Sequence, residues 1–175
     1  MKKNVNEIEV QYFESKFGEL ILGTFKKSLC LLDFKYRKMR LSVDNRLKTQ
    51  LNATFVFKNN EILRLAKTQI GEYLSGKRKE FEIPILTVGS DFQKQVWDSL
   101  MNVKYGGIAS YLDIAITIGN PKAVRAVANA NGANSLALII PCHRIVGNDG
   151  KLVGYGGGLS IKKKLLNLEK VNIGF

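Results

Sequence analysis

The chain has 175 residues, is 45% hydrophobic, and carries 27 Lys and Arg against 15 Asp and Glu, a formal net charge of +12. No apolar run reaches the length of a membrane span, and the basic start Met1-Lys2-Lys3-Asn4 leads into no signal-peptide core, so no membrane partner is expected and the expected location is cytoplasmic, or nuclear in a nucleated cell. Two cysteines and one histidine exclude a disulfide framework and a four-ligand structural zinc site, and the positive charge of both halves favours an anionic partner, nucleic acid first.

The first third reads as strands. Ile8–Phe13, Leu20–Phe25 and Leu29–Phe34 are apolar runs with short connections, which suggests a small antiparallel sheet. Cys30 lies inside the third run and is expected to pack there. Residues 35–50 are basic and polar, a surface loop or a short helix. The spacing of apolar residues over Glu61–Leu74 predicts a helix, closed by Ser75-Gly76. Glu82–Gly89 reads as an extended connector, which places a domain boundary at residue 86 and divides the chain into 1–86 and 87–175. Ser90 and Gln93 form a capping box, and a helix with Phe92, Val96, Trp97, Leu100 and Met101 on one face follows. Tyr105-Gly106-Gly107 breaks the chain, Ser110 starts a short helix and Gly119 ends it. Asn120-Pro121 then restarts a helix in the preferred order of cap and first-turn proline. The sequence of helix, tight turn and second helix is a helix-turn-helix pattern.

The second helix, Lys122 to Asn131, carries small residues. Val124 and Val127 can face the core. Ala126, Asn129 and Ala130 are expected outward, with Asn131 and Gly132 at the end, a face slim enough to approach a surface closely. Arg125 is its lone long cation beyond the first turn.

Ile139-Ile140-Pro141-Cys142-His143-Arg144-Ile145-Val146 sets a cysteine beside the only histidine, between two β-branched runs. Read as strands, these runs put the pair on a strand-to-strand corner. Neighbouring side chains on extended chain point apart, so a bridging water suits the pair better than a direct thiol–imidazole bond. A cysteine is nucleophilic only as thiolate. His143 through water, Arg144 and nearby backbone donors are the candidates to promote it. Gly147-Asn148-Asp149-Gly150 is a turn. The glycine-rich Val153–Gly158 brings backbone close to a ligand, yet no Gly-Lys-Ser/Thr follows, which argues against a nucleotide triphosphatase. A last helix, Ser160–Lys170, presents Glu169 beside an apolar stripe.

Pro141-Cys142-His143-Arg144 with its β-branched flanks resembles the active-site signature of the O6-alkylguanine-DNA alkyltransferases. The resemblance runs without a gap from Phe92 to Glu169, through Tyr105–Tyr111, Gly119–Val127, Asn134, Gly147–Gly150, Gly154–Leu159 and Leu165–Glu169. It implies an α/β (α+β) fold, with a small ribonuclease-H-like α/β domain followed by a mainly helical domain that holds the helix-turn-helix and the Pro-Cys-His-Arg turn. It implies direct-reversal DNA repair, in which Cys142 irreversibly takes the alkyl group from O6-alkylguanine, with O4-alkylthymine a second candidate substrate, once the base is flipped out of the duplex. By the same resemblance His143 acts as base through water, Glu169 orients it, Tyr111 hydrogen-bonds the guanine, and Asn134 ties down the active-site turn. Arg125 inserts into the duplex as a finger. Lys122, Tyr111, Ala126, Ala128, Asn129 and Gly132 contact DNA in the minor groove, and Asn131, Ile145, Tyr155 and Gly156 form the substrate pocket. The expected protein is a monomer without cofactor or metal. Its departures are Ser135 and Ala137 where proline is common, Ala133 where bacterial relatives often carry arginine, Ala128-Asn129 where a Gly-containing pair is usual, and Gly156 where serine is frequent. The rival readings are a non-catalytic lesion-binding protein, which Cys142 argues against, a helix-turn-helix regulator, which the slim second helix argues against, and a thiol hydrolase, which lacks a separate histidine.

Overall fold

In a computed structural model that describes residues 5–171, the three N-terminal strands are present as β1 (Asn6–Phe13), β2 (Leu20–Phe25) and β3 (Ser28–Phe34). The basic start Met1–Asn4 lies outside the described residues. Lys26 and Lys27, with φ of 46° and 66°, make the two-residue turn between β2 and β3, since paired left-handed residues match the twist of a hairpin. The sheet is mixed rather than antiparallel. Helix α1 (Arg40–Leu51) forms where a loop or short helix was expected, and it carries the chain back to β4 (Ala53–Phe57), which runs parallel to β1. Strand order is β3-β2-β1-β4. α1 buries only Val43 and Leu47, one i, i+4 pair, so its periodicity is faint in sequence. Left-handed Asn52 (φ 46°) ends it and turns the chain straight into β4.

Helix α2 (Glu61–Leu74) spans the predicted residues. The Asn60 side chain accepts from the Leu63 amide at 2.9 Å, and left-handed Gly76 follows its end. The connector is stitched to the outer edge of β3: Leu29 N–H donates to Pro84 O and Leu86 N–H to Leu29 O, both at 2.8 Å. Further along that edge Leu32 pairs with Leu136, so the strand edge is covered by later chain.

The predicted capping box Ser90/Gln93 is present on α3 (Asp91–Met101), and a second, Ser110/Asp113, caps α4 (Tyr111–Thr117), which Ser110 was expected to start. β5 (Ala109–Ser110) directly precedes α4. Pro121–Ala123 form a 3-10 turn before α5 (Val124–Gly132), and the Asn120 side chain makes no cap bond, contrary to expectation. The run before Cys142 is not a strand. Asn134 Oδ1 accepts from Leu136 N, Ile140 N–H returns to Leu136 O at 2.9 Å, and Leu138 adopts a φ of 72°, which coils residues 134–141 into turns. Cys142–Arg144 are one 3-10 turn, and only then does β6 (Ile145–Val146) pair in parallel with β5. α6 (Leu159–Leu168) closes the fold, with Glu169 as its C-cap.

One apolar core runs through both halves. Leu20, Leu32 and Tyr73 belong to the same buried cluster as Trp97, Val127, Ile140 and Leu165. A smaller core, with Ile8, Val10, Leu31, Val43 and Leu47, lies between the sheet and α1. Cys30 is buried there, its thiol on Gly23 O, as its position predicts. The larger core places the 3-10 turn of Cys142 where elements from both halves can reach it.

Candidate active site

A cleft of about 420 Å³ lies between the two halves. Cys142, Tyr111, Ala128, Asn129, Asn131, Gly132, Asn134, Tyr155 and Gly156 all line it, so nine residues read from the sequence converge on one space. Cys142 is only 6% exposed, yet it faces this cleft. Asn134 Nδ2–H donates to Cys142 Sγ at 3.2 Å and to Ile140 O at 2.9 Å, which fixes the sulfur on its turn. Burial pushes the Cys142 thiol above its ordinary pKa, against the Asn134 bond and the charge of Arg37. The resting group is therefore a thiol, and chemistry at the sulfur needs a base. Asn131 Oδ1 and the Tyr155 hydroxyl are buried without a hydrogen-bond partner among the described residues. Unsatisfied polar atoms on a cleft wall mark where a polar ligand fits. Tyr111 lines the cleft with its hydroxyl on Val153 O at 3.2 Å.

Next in chain to Cys142, and outside the cleft lining, sits a buried ionic group. His143 Nε2–H donates to Glu169 Oε1 at 2.9 Å. Arg144 grips the same carboxylate from Nε and Nη2, each at 2.9 Å, and reaches Val103 O with Nη1. The Gly106 amide and the Tyr73 hydroxyl donate to Glu169 as well. Burial pushes the Glu169 carboxyl up, but the bonds from His143 and Arg144 outweigh it and hold the pKa at about 2. An ionised Glu169 fixes the imidazole tautomer with its proton on Nε2. Burial lowers the His143 pKa, so the ring is neutral, and Nδ1 has no hydrogen-bond partner among the described residues. Glu169 alone would read as a solvated helix end; it is 3% exposed. Arg144, a sequence candidate to promote the thiolate, is engaged by Glu169 and Val103 instead.

Three contributors were not legible as site residues. Tyr73 lies on α2 of the N-terminal half, 70 residues before the histidine it approaches. Arg37 follows β3, bonds Asp33 at 2.8 Å, and donates to the carbonyls of Gly132 and Asn134. Lys162 of α6 is fully buried and donates to the carbonyls of Ile145, Val153 and Gly154. Ile145, expected in the substrate pocket, is buried and does not line the cleft, and its carbonyl accepts from Lys162.

α5 carries the expected exposed surface in part. Lys122, Arg125, Ala126, Asn129 and Gly132 are exposed. Ala130, read as outward, is buried, with the Trp97 indole donating to Ala130 O at 2.8 Å, while Asn131, expected in the substrate pocket, is buried and lines the cleft. The C-terminal end of α5 is gripped by arginines from the other half, Arg37 on Gly132 O and Asn134 O and Arg46 on Ala133 O. Cations suit that end of a helix. No group of three or more His, Cys, Asp or Glu able to hold a metal, and no helix long and apolar enough to cross a membrane, occurs among the described residues.

Two family models cover nearly the whole chain. The ribonuclease-like domain of 6-O-methylguanine DNA methyltransferase matches residues 8–87, and the DNA binding domain of that family matches residues 91–171. A methylated-DNA–protein-cysteine methyltransferase of Methanosarcina barkeri is 42% identical over 160 residues, 91% of this chain and 96% of that protein. The crystal structure of the Mycobacterium tuberculosis O6-methylguanine methyltransferase superposes with a TM-score of 0.78 at 37% identity, covering 93% of each chain. A structure of the M. tuberculosis protein in complex with DNA also superposes at 0.78, with 35% identity over 94% of this chain and 92% of that one.

Proposed function

The chain belongs to the 6-O-methylguanine DNA methyltransferase family, and from that premise we propose which of its own residues carry the reaction. It is a methylated-DNA–protein-cysteine methyltransferase: it binds DNA and repairs it by direct reversal, moving the alkyl group to a cysteine of its own. Cys142 is the acceptor. The observation that carries this assignment is the Cys142 sulfur, held by Asn134 at the cleft wall, next in chain to a neutral His143 whose Nδ1 is unpartnered and whose Nε2 is fixed on Glu169.

The substrate is O6-alkylguanine, flipped from the duplex into the cleft at a cost of a few kcal/mol. The Cys142 proton passes through a water to His143 Nδ1, and the imidazolium that forms is stabilised by Glu169. The thiolate attacks the alkyl carbon in line. A sulfur–carbon bond forms, the carbon–O6 bond breaks, and its electron pair leaves on the guanine. Tyr111 donates to the ring and the amide of Gly156 to O6, which spreads the charge of the departing base. The thioether has no route back to thiol, so each molecule acts once and needs no cofactor. The units 1–86 and 87–175 divide the work. The first braces the site through Tyr73, Arg37 and Arg46. The second docks Lys122 of the 3-10 turn and the slim face of α5, Ala126, Ala128, Asn129 and Gly132, in the minor groove as a monomer. The cell compartment is the cytoplasm, or the nucleus where there is one.

The test is intact mass. After incubation with an oligonucleotide containing O6-methylguanine, the protein should gain the mass of one methyl group, and Cys142→Ala should gain nothing. Unmodified protein that still holds the lesion would favour a lesion sensor instead.

Arg125 is exposed at the start of α5, free to enter the stack in place of the flipped nucleotide. Arg125→Ala should slow transfer from duplex DNA about a hundredfold, by the few kcal/mol that unstacking costs, and leave transfer from free O6-benzylguanine unchanged. Equal slowing of both would remove the finger role. Tyr73→Phe removes one hydroxyl from Glu169. Transfer should slow about tenfold with DNA affinity unchanged, read from single-turnover rates at saturating DNA.

A further inference from the structure

Gly156 stands where an added Cβ would lie 2.7 Å from Arg37 Cζ, 2.8 Å from Nη2 and 3.0 Å from Nε. Its backbone is not left-handed, unlike Gly154 (φ 54°) and Gly158 (φ 92°), so what this position requires of glycine is room. The guanidinium cannot easily withdraw. It is bonded to Asp33 at 2.8 Å and to Asn134 O at 2.9 Å, it reaches Gly132 O, and Asp33 is itself held by Arg40 at 2.9 Å. Arg37 is 7% exposed, lines the cleft beside Gly156, and keeps a buried Nε without a partner among the described residues. The residue it bonds, Asn134, is the one whose amide holds the Cys142 sulfur.

We propose that Arg37, supplied by the N-terminal half and seated against Gly156, is the specificity-determining wall of the alkyl cleft, admitting small O6-alkyl groups and resisting bulky arylmethyl groups. This rests on the alkyl-transfer reading above. The guanidinium fills the space that a side chain at position 156 would otherwise take, and its three bonded neighbours make that wall stiff. Because the same group fixes Asn134, a clash at 156 also disturbs the sulfur. The two positions are therefore coupled, and a side chain is tolerated at 156 only once position 37 is emptied.

The experiment is a double-mutant cycle on the full chain, read as single-turnover rates for two substrates, an O6-methylguanine oligonucleotide and O6-benzylguanine as free base. Arg37→Ala should raise the ratio of benzyl to methyl transfer about tenfold, the scale on which a pocket senses bulk. Gly156→Ala should slow methyl transfer at least about tenfold in the native background and less than about twofold in the Arg37→Ala background. Arg37→Lys, which keeps a cation toward Asp33 but lacks the planar fork, gives a second background if Arg37→Ala folds poorly. An equal penalty for Gly156→Ala in both backgrounds, or an unchanged benzyl-to-methyl ratio, overturns the proposal even while Cys142 is methylated normally. A native protein that takes up no alkyl group overturns the alkyl-transfer reading first and this inference with it.

Discussion

Glu169→Gln is expected to slow methyl transfer about a hundredfold, a typical loss when a general base is misoriented. The same substitution should lower stability by on the order of 3 kcal/mol, the scale for breaking a buried ion pair. The carboxylate receives His143 Nε2–H, the Arg144 fork, the Gly106 amide and the Tyr73 hydroxyl. All of these are donors, and an ionised carboxylate is acceptor-only on both oxygens. Glutamine keeps the shape but turns one acceptor into a donor, facing either Arg144 or His143. The imidazole then loses the partner that fixes its tautomer and supports its charge. The pH dependence has a defined sign. Glu169 titrates at about 2 in the folded protein, below its ordinary 4.5. Its contribution is fully present above pH 4.5 and is lost as pH falls through about 2. The stability gap between native protein and Glu169→Gln, measured by urea unfolding, should shrink across that window. A variant of native rate would show that the carboxylate is structural only.

Lys162→Met should cost on the order of 1–3 kcal/mol, since the buried carbonyl of Ile145 loses its charged donor, while the carbonyls of Val153 and Gly154 are only part-buried. Methionine has the length of lysine and none of its protons. Lys162 fastens the carbonyl of Ile145, just past the motif turn, to Val153 and Gly154 at the mouth of the cleft. Without it the loop that carries Tyr155 and Gly156 is untied, and methyl transfer should slow together with the loss of stability. Burial lowers the Lys162 pKa to about 8, below its ordinary 10.5. The unfolded chain therefore binds more protons than the folded one between those values, and this group makes stability rise with pH there. Lys162→Met should lack that rise in denaturant melts taken from pH 8 to 10.5. Wild-type stability in the variant would mean that the three carbonyls find other donors.

The chemistry of the site was legible because it is local. Cys142, His143, Tyr111 and Asn134 belong to contiguous motifs, and the capping box at Ser90 marks the start of its helix within four residues. The supports were not, because each is a common residue acting across the chain. Tyr73 reads as one more apolar position on α2, Arg37 as one charge in a basic loop, and Lys162 as an exposed helix lysine. Only the fold brings them within bonding distance of residues about 10 to 100 positions away. The strand predicted before Cys142 failed for a related reason. Its β-branched residues were read as a run, while the Asn134 side chain takes the backbone bond that a neighbouring strand would have supplied. The parallel strand β4 was missed because α1, the crossover it needs, shows almost no apolar stripe.

The most direct test counts and locates the transferred carbon. The protein is mixed with an excess of duplex carrying radiolabelled O6-methylguanine, followed to completion, and digested for peptide mass spectrometry. The account predicts that label uptake stops at one methyl per molecule, all of it on the Cys142 thiol. Label on another residue, or repair continuing past one equivalent of protein, would contradict it.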